Sequence, residues 1–173
     1  CSVWGCSTGD MLAKISGASI FAAQQKGWGE QRIGLKFSAS FSPYAQYNSS
    51  LLGKKWASRI MKDYNGQTYW LSLNLRSFMK TNSTFPAWAN IAVGYGGDGM
   101  IGANQNPTSI KGKNIPPFKR SRQFYRAADE DLFRIKSSSA VNAPLYLLRF
   151  AKIPAPAIEF NTGGKMKFKA IQF

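Results

Sequence analysis

Apolar residues alternate with polar or very small residues along three stretches of the chain, at 32–41, 68–76 and 91–96. A period of two residues is typical of a β-strand with one apolar face. The small residues on the opposite face predict a crowded interior, and Trp70 is the large exception there. The pattern therefore predicts a mainly β fold. The apolar positions of these strands are Ile33, Leu35, Phe37, Phe41, Tyr69, Leu71, Leu73, Leu75, Ile91, Val93 and Tyr95.

A helix is predicted before these strands, over residues 7–26. Ser7 and Asp10 fit a capping box, and Gly27 fits a C-terminal stop. Small side chains recur at four-residue spacing along this helix, which would allow another helix or a sheet to approach closely. An ordinary alanine-rich core helix has the same spacing. The residues that predict close helix packing are Ala13, Gly17, Ala18 and Ala22.

The second half of the chain is less regular. Residues 98–122 are dense in Gly, Asn, Pro and Ser and predict a long basic loop. Residues 142–152 fit either a helix or a strand. The final stretch predicts a strand, but Ile171 and Phe173 share the parity of the lysines. Either a β-bulge or a strand that emerges from the polar face into an interface would account for this. We expect one domain over 1–173, with an antiparallel sheet region from residue 31 onward.

Composition argues against catalysis. The chain of 173 residues has 23 Lys and Arg against 8 Asp and Glu, a net charge of +15, and no His, the commonest acid–base and metal-binding side chain. Asp98 is the strongest single candidate for a site, but its Gly-Gly-Asp-Gly context fits a turn at a strand end equally well. We expect no catalytic residue, no metal and no cofactor.

Three consecutive acids, at 129–131, interrupt an otherwise extended segment. Arg126 and Arg134 lie close to them in sequence, so ion pairs inside a polar interior or at its rim are expected. A divalent-cation site is the alternative, although calcium loops normally supply more oxygen ligands than this.

Basic residues concentrate in two segments, a predicted short helix at 54–62 and the long loop. Both would suit an anionic surface, and a solvated connector is the alternative for the helix. The residues expected to bind an anionic surface are Lys54, Lys55, Arg59, Lys62, Lys111, Lys113, Lys119, Arg120 and Arg122.

The two cysteines, Cys1 and Cys6, are both at the N-terminal end of the sequence. Three interpretations stay open: Cys1 as a lipidated N-terminus, a small disulfide loop between the two, and ordinary thiols of a truncated chain.

Four segments resemble a Gram-negative cell-envelope family related to the periplasmic lipoprotein YfiM. They are Gly9-Asp-Met-Leu-Ala, Glu30-Gln-Arg, Lys62-Asp-Tyr-Asn-Gly-Gln-Thr-Tyr-Trp-Leu-Ser and Asn90-Ile-Ala-Val-Gly-Tyr-Gly-Gly-Asp-Gly-Met. The resemblance implies an envelope protein associated with the outer membrane, with no established catalytic residues. Family members typically carry further helical sequence before the first segment, which would place Cys1 inside the family pattern and weakens the lipid-anchor interpretation.

The favoured function is that of a non-enzymatic outer-membrane protein, an accessory subunit of an envelope assembly or secretion complex. Its fold would be a small antiparallel β-barrel or partial barrel with one packed helix, its apolar strand faces turned to lipid. A closed barrel needs at least ~8 strands, and the sequence supports four to six, so further strands or partner subunits must complete it. Outer-membrane lipid and other subunits are the expected partners, and no small-molecule substrate is identified.

A basic domain that binds single-stranded nucleic acid is the alternative. Positive charge interleaved with aromatic residues meets the compositional requirement for base stacking and phosphate contact. Salt would release such a protein, whereas a barrel would stay in the membrane. The aromatic residues in question are Phe118, Phe124, Tyr125 and Phe168.

Overall fold

The computed structural model of the chain describes residues 8–80, 83–134 and 148–172. The chain divides into two compact units, one ending at Gly34 and the other beginning at Leu35. This boundary falls close to the predicted division between the helix and the sheet region. Cys1, Cys6, Phe173 and most of the ambiguous segment 142–152 lie outside the described residues.

The first unit contains one long helix, α1 (Thr8–Trp28), close to the predicted 7–26. Gly29 follows it with a φ of 68°, a left-handed conformation that ends the helix at low cost for glycine. The buried Gln24 then fixes the backbone at Arg32 and Ile33. Its Oε1 accepts from the backbone N–H groups of both residues, and its Nε2 donates to the Ile33 carbonyl.

The small-residue face of α1 is described at Gly17, Ala18 and Ala22. Ala18 and Ala22 are exposed and Gly17 is half-buried. The prediction that this face packs closely against another element therefore stays a prediction. Among the described residues, no helix combines the length and apolar character required to cross a membrane.

A six-stranded antiparallel sheet dominates the second unit, which confirms the prediction of a mainly β fold. The strand order is β1-β2-β3-β6-β7-β8, and β4 and β5 form a separate hairpin. The helices α2 (Ser49–Leu52) and α3 (Trp56–Lys62) connect β1 to β2. The strands are β1 (Ile33–Ala39), β2 (Gln67–Asn74), β3 (Ala89–Asp98), β4 (Ser109–Ile110), β5 (Lys113–Asn114), β6 (Ser121–Glu130), β7 (Ala155–Asn161) and β8 (Met166–Gln172).

The sheet is not closed into a barrel. In the described part of the chain, β1 and β8 are its two edges and do not pair with each other. The free side of β1 instead pairs in parallel with residues 150–152: Phe37 donates to the Phe150 carbonyl and accepts from the Lys152 N–H.

The register pairs a tryptophan with a glycine at the centre of the sheet. Trp70 on β2 lies opposite Gly94 on β3, which lies opposite Tyr125 on β6. A Cβ at Gly94 would come within 2.7 Å of the Trp70 ring, so only glycine leaves room for the indole. Trp70 and Tyr125 form a small buried cluster with Ala92 and Ala157.

Two boundaries differ from the sequence prediction. Leu75 does not extend β2 but begins a 3-10 helix, Leu75–Phe78, because the Asn74 side chain accepts the Ser77 N–H and caps this turn. The predicted loop 98–122 contains the β4–β5 hairpin, whose Lys111-Gly112 turn has positive φ at both residues, as tight hairpin turns require.

The last strand contains the predicted irregularity. The pairing of β7 with β8 shifts register between Ala155 and Ala157. The shift places one extra residue in β8, so that Ile171 joins Met166 and Phe168 among the exposed side chains while Gln172 is buried.

Candidate functional site

The two faces of the sheet have opposite character, and the apolar face is the exposed one. Leu35 is 60% exposed, Tyr69 57% and Phe168 72%. We call this surface the outer face. Besides those three residues, it contains Ile91, Val93, Tyr95, Phe124, Ile158, Phe160, Met166 and Ile171 as exposed side chains, and Phe37, Leu71 and Leu73 as half-buried ones.

Each predicted strand residue except Ile33, Phe41 and Leu75 lies on this outer face. Ile33 is half-buried at the start of β1. Phe41 lies after the end of β1, and Leu75 lies in the 3-10 helix after β2, so the inclusion of these two among strand residues is wrong. The structure brings the others together because alternate residues of neighbouring strands project from the same side of a sheet.

The inner face, formed by the alternate strand positions, is buried and largely polar. Ser38, Thr68, Ser72, Asn74, Asn90, Asp129 and Glu159 all lie there with little or no exposure. Trp70 is the main apolar side chain among them, and its indole N–H donates to Ser38 at 2.8 Å. The sheet therefore buries polar side chains and exposes apolar ones, which is the opposite of the usual distribution in a water-soluble protein.

An ionic cluster occupies the centre of the inner face. The Lys36 ammonium lies 2.7 Å from one carboxylate oxygen of Asp129, and the Lys152 ammonium lies 3.3 Å from the other. Ser72 also donates to Asp129, and Asn90 donates to Ser72 at 2.8 Å. Two buried ammonium groups thus share the one carboxylate of Asp129.

The contact of Lys36 with Asp129 shows that the sheet is strongly curved. Lys36 is on β1 and Asp129 on β6, three strand spacings apart in the sheet order. In a flat sheet that separation would be about 14 Å. The side chains meet because the inner face is concave.

The residue Glu130, next to this cluster, has an unusual carboxyl group. Burial and the neighbouring Asp129 raise the pKa of Glu130, while Lys152 and Lys36 act in the opposite direction. One of its oxygens, Oε1, is buried and accepts no hydrogen bond from the described residues. The charged form of Glu130 is therefore poorly satisfied in the folded chain.

The acids at 129–131 pair differently from the prediction. Asp129 pairs with Lys36 and Lys152 rather than with Arg126, which is exposed on the opposite face of β6 near the Phe160 ring. Asp131 does pair with Arg134, at 3.2 Å. In the described ranges, no three acidic or sulfur side chains are grouped as a metal site would require.

The basic residues lie at one end of the sheet, which we call the basic end. The strands of this sheet alternate in direction, so connections 40–66, 99–120 and 162–165 all return at the same end. The first two hold eight Lys or Arg residues against one acid, the buried Asp63. The basic residues predicted to bind an anionic surface all lie in these connections, except Arg122, which is at the start of β6.

Two of the predicted basic residues have structural partners. The Arg59 guanidinium donates to the Ser42 carbonyl at 2.6 Å, and Arg120 donates to the Ala103 carbonyl at 3.0 Å. The others are exposed: Lys54, Lys55, Lys62, Lys111, Lys113, Lys119 and Arg122. Lys54 and Lys55, just before α3, and Lys62, at its end, lie close in sequence to the exposed apolar side chains of Trp56 and Met61.

The aromatic residues of the nucleic-acid alternative do not share one surface. Phe118 packs against Tyr44 and Tyr47, with ring centroids 5.2 and 5.1 Å away. Phe124 and Tyr125 project from opposite faces of β6, and Phe168 lies on the outer face. Their arrangement adds no support to a stacking platform beside the basic residues.

The sequence prediction missed the outer-face residues Ile158 and Phe160 and the inner-face residues Lys36 and Lys152. In β7, the alternation of Ala157 and Glu159 with Ile158 and Phe160 was a usable signal. Lys36 was detectable as a charge at the centre of a strand's polar face. Nothing in the local sequence of Lys152 indicates burial.

No protein-family model, curated protein or solved structure matches this chain. The resemblance to the cell-envelope family stays a prediction.

Proposed function

We propose that this chain is a non-enzymatic outer-membrane protein of a Gram-negative bacterium whose outer face contacts lipid. The observation that supports the proposal is the inverted polarity of the sheet, with Leu35, Tyr69 and Phe168 exposed while Asp129 and Glu159 are buried.

The outer face is costly to hydrate. Burying one Leu, Ile or Phe side chain stabilises a protein by about 1.5–3 kcal/mol, and this face exposes side chains of that kind on all six strands of the sheet. Contiguous apolar patches larger than a few hundred Å² are rare on soluble monomers and mark interaction or membrane surfaces. Contact with lipid hydrocarbon would remove the apolar side chains of several adjacent strands from water.

The inner face fits the same proposal. Transmembrane sheets alternate apolar residues outward with polar residues inward. Here the buried Asp129 carboxylate forms ion pairs with Lys36 and Lys152 and accepts a hydrogen bond from Ser72.

The open sheet favours a role as a subunit. A closed membrane barrel needs at least ~8 strands, and this sheet has six. Because unpaired backbone groups are unfavourable in hydrocarbon, another polypeptide would complete the edge at β8. We therefore propose an accessory subunit of an envelope assembly, forming a partial barrel.

The basic end would lie in the headgroup layer. A Lys or Arg near an anionic membrane surface contributes about 1 kcal/mol to binding. Trp56 and Met61, exposed among Lys54, Lys55 and Lys62, give α3 the mixed apolar and basic surface that interfacial helices have.

The test is membrane fractionation of the full chain with washes at high salt and at alkaline pH. We expect the protein to sediment with outer membranes, to survive both washes and to require detergent for release. Migration on a gel with and without boiling provides a second readout of a stable membrane sheet.

A pair of variants separates insertion from adhesion. Val93→Lys places a charge at the centre of the outer face, where a membrane strand would lose about 2–4 kcal/mol, and should shift the protein into the salt-extractable fraction. Thr108→Lys adds the same charge in an exposed connection and should leave extraction unchanged. Release of the unmodified chain by salt alone, or equal behaviour of both variants, would refute the proposal.

A further inference from the structure

A polar cleft opens at the basic end, between the residues that follow β1 and the last residues of β8. Its volume is about 380 Å³, within the range of ~300–1,000 Å³ typical of small-molecule sites. One wall is formed by residues 40–44 and the other by residues 169–172, and β2, β3 and β6 supply the floor.

The floor carries hydrogen-bonding groups with unused capacity. Thr68 lines the cleft from β2 with its hydroxyl, and Gln123 lines it from β6. The Gln123 amide N–H₂ donates to Glu159 at 3.0 Å, and this bond does not use the acceptor capacity of the amide oxygen. The Tyr125 hydroxyl accepts from Lys169 at 3.5 Å and retains its own proton for donation. Donors and acceptors are thus mixed along one surface.

The cation in the cleft already has a counter-ion. The Lys169 ammonium is paired with the buried Glu159 carboxylate at 2.9 Å. Asp98, at the end of β3, accepts a hydrogen bond from the Tyr44 hydroxyl. Among the described residues that line the cleft, Lys169 is the one Lys or Arg, so an anionic ligand would find no unpaired cation there.

The two tyrosines remain protonated donors over the physiological range. Burial, followed by the charge of Asp98, raises the pKa of Tyr44 to about 12. Burial, followed by Glu159 and Asp98, raises the pKa of Tyr125 as well. A ligand in the cleft would meet neutral hydroxyl groups rather than phenolates.

An aromatic side chain stands at the mouth. Phe41 lines the cleft and is 57% exposed, and the Arg59 guanidinium lies 4.9 Å from its ring centroid. With Arg59 over the ring, Phe41 is held as a platform on which the apolar C–H face of a flat, hydroxyl-bearing ring can pack.

We propose that the cleft binds an uncharged, hydroxyl-rich ligand, a mono- or disaccharide. Sugar hydroxyls both donate and accept, as the groups of Thr68, Gln123 and Tyr125 do. A phosphate or carboxylate ligand would have to compete with Glu159 for Lys169, and no second cation lines the cleft among the described residues. The inference does not depend on membrane insertion, since the cleft is formed by this chain alone.

The experiment uses the full chain, purified in detergent, and isothermal titration with maltose, cellobiose and N,N′-diacetylchitobiose. Inorganic phosphate serves as the anionic comparison. Trp70 supplies a second readout by fluorescence, because its ring lies 5.6 Å from the ring of the cleft residue Tyr125. We expect saturable binding of at least one disaccharide and no saturable binding of phosphate.

Two threonine variants locate the binding. Thr68→Val keeps the shape and removes the cleft hydroxyl, and should weaken sugar binding about three- to tenfold. Thr108→Val makes the same change in an exposed connection and should leave binding unchanged. If Thr68→Val does not fold, Tyr44→Phe removes a second cleft hydroxyl and carries the same expectation. Binding of none of the three sugars, tighter binding of phosphate, or an unchanged affinity in the folded cleft variant would overturn the proposal.

Discussion

Lys36 and Asp129 form an ion pair of 2.7 Å in which both side chains are almost fully buried. Removing one partner of such a pair leaves an uncompensated charge and typically costs about 3–5 kcal/mol. Asp129→Asn leaves both Lys36 and Lys152 without their carboxylate, so we expect a loss of that size. Chemical unfolding in detergent measures it.

Asp131→Asn is the control for that substitution, because Asp131 pairs with Arg134 nearer the surface and partly exposed pairs contribute about 0–1 kcal/mol. An equal loss in the two variants would show that the inner cluster contributes nothing special to stability.

The central glycine of β3 provides a second prediction. Gly94→Ala forces a Cβ to within 2.7 Å of the Trp70 ring, and overpacking of this kind costs about 1–3 kcal/mol. Gly34→Ala, on β1, meets open space without a positive φ and should be neutral or slightly stabilising. Thermal unfolding of both variants, with tryptophan fluorescence as the probe, checks the difference. If neither substitution lowered the thermal stability, the described packing of Trp70 would be contradicted.

Asn106 organises the connection between β3 and β6. Its amide N–H₂ donates to the carbonyls of Gly99 and Phe118, and its oxygen accepts from the Ile101 N–H at 2.9 Å. Asn106→Asp removes both donors, and we expect a local loss of about 1–3 kcal/mol, visible as faster amide exchange over 99–120. Asn104→Asp, an exposed residue of the same connection, should leave exchange unchanged. Similar exchange in both variants would exclude this role for Asn106.

Stability should depend on pH through Glu130. Burial and Asp129 raise its pKa above the ordinary 4.5, so the folded chain binds this proton more readily than the unfolded chain. The wild type therefore gains stability as the pH falls through the raised pKa, and the gain is complete below the unfolded value. Glu130→Gln removes this dependence.

We expect Glu130→Gln to be more stable than the wild type at pH 7, with the difference shrinking as the pH approaches 4.5. Urea unfolding of both proteins at several pH values measures this. A constant difference across the range would show that Glu130 does not titrate as described.

The outer faces of β1, β2 and β3 were predictable because a period of two residues admits few other folds over such lengths. The same reasoning missed β7, because Pro154 and Pro156 are unfavourable in a regular strand. Pro156 lies instead at the register shift between β7 and β8, where a missing N–H interrupts no regular ladder. Proline in a strand is tolerated at such a position.

The buried ionic cluster could not be derived from local spacing. Asp129 is two residues from Asp131 and three from Arg126 in sequence, but strand alternation places Arg126 on the other face. Its true partners, Lys36 and Lys152, reach it only through the curvature of the sheet and the return of residues 150–152 along β1. The cleft likewise joins segments from opposite edges of the sheet, which no motif connects.

The pairing of Phe37 with residues 150–152 makes the two borders of the sheet unequal. Docking of an added strand against β1 would have to displace this parallel segment at its midpoint, whereas β8 has only β7 beside it in the described chain. If a neighbouring subunit or a second copy extends this sheet, the added strand would therefore pair with β8 rather than with β1.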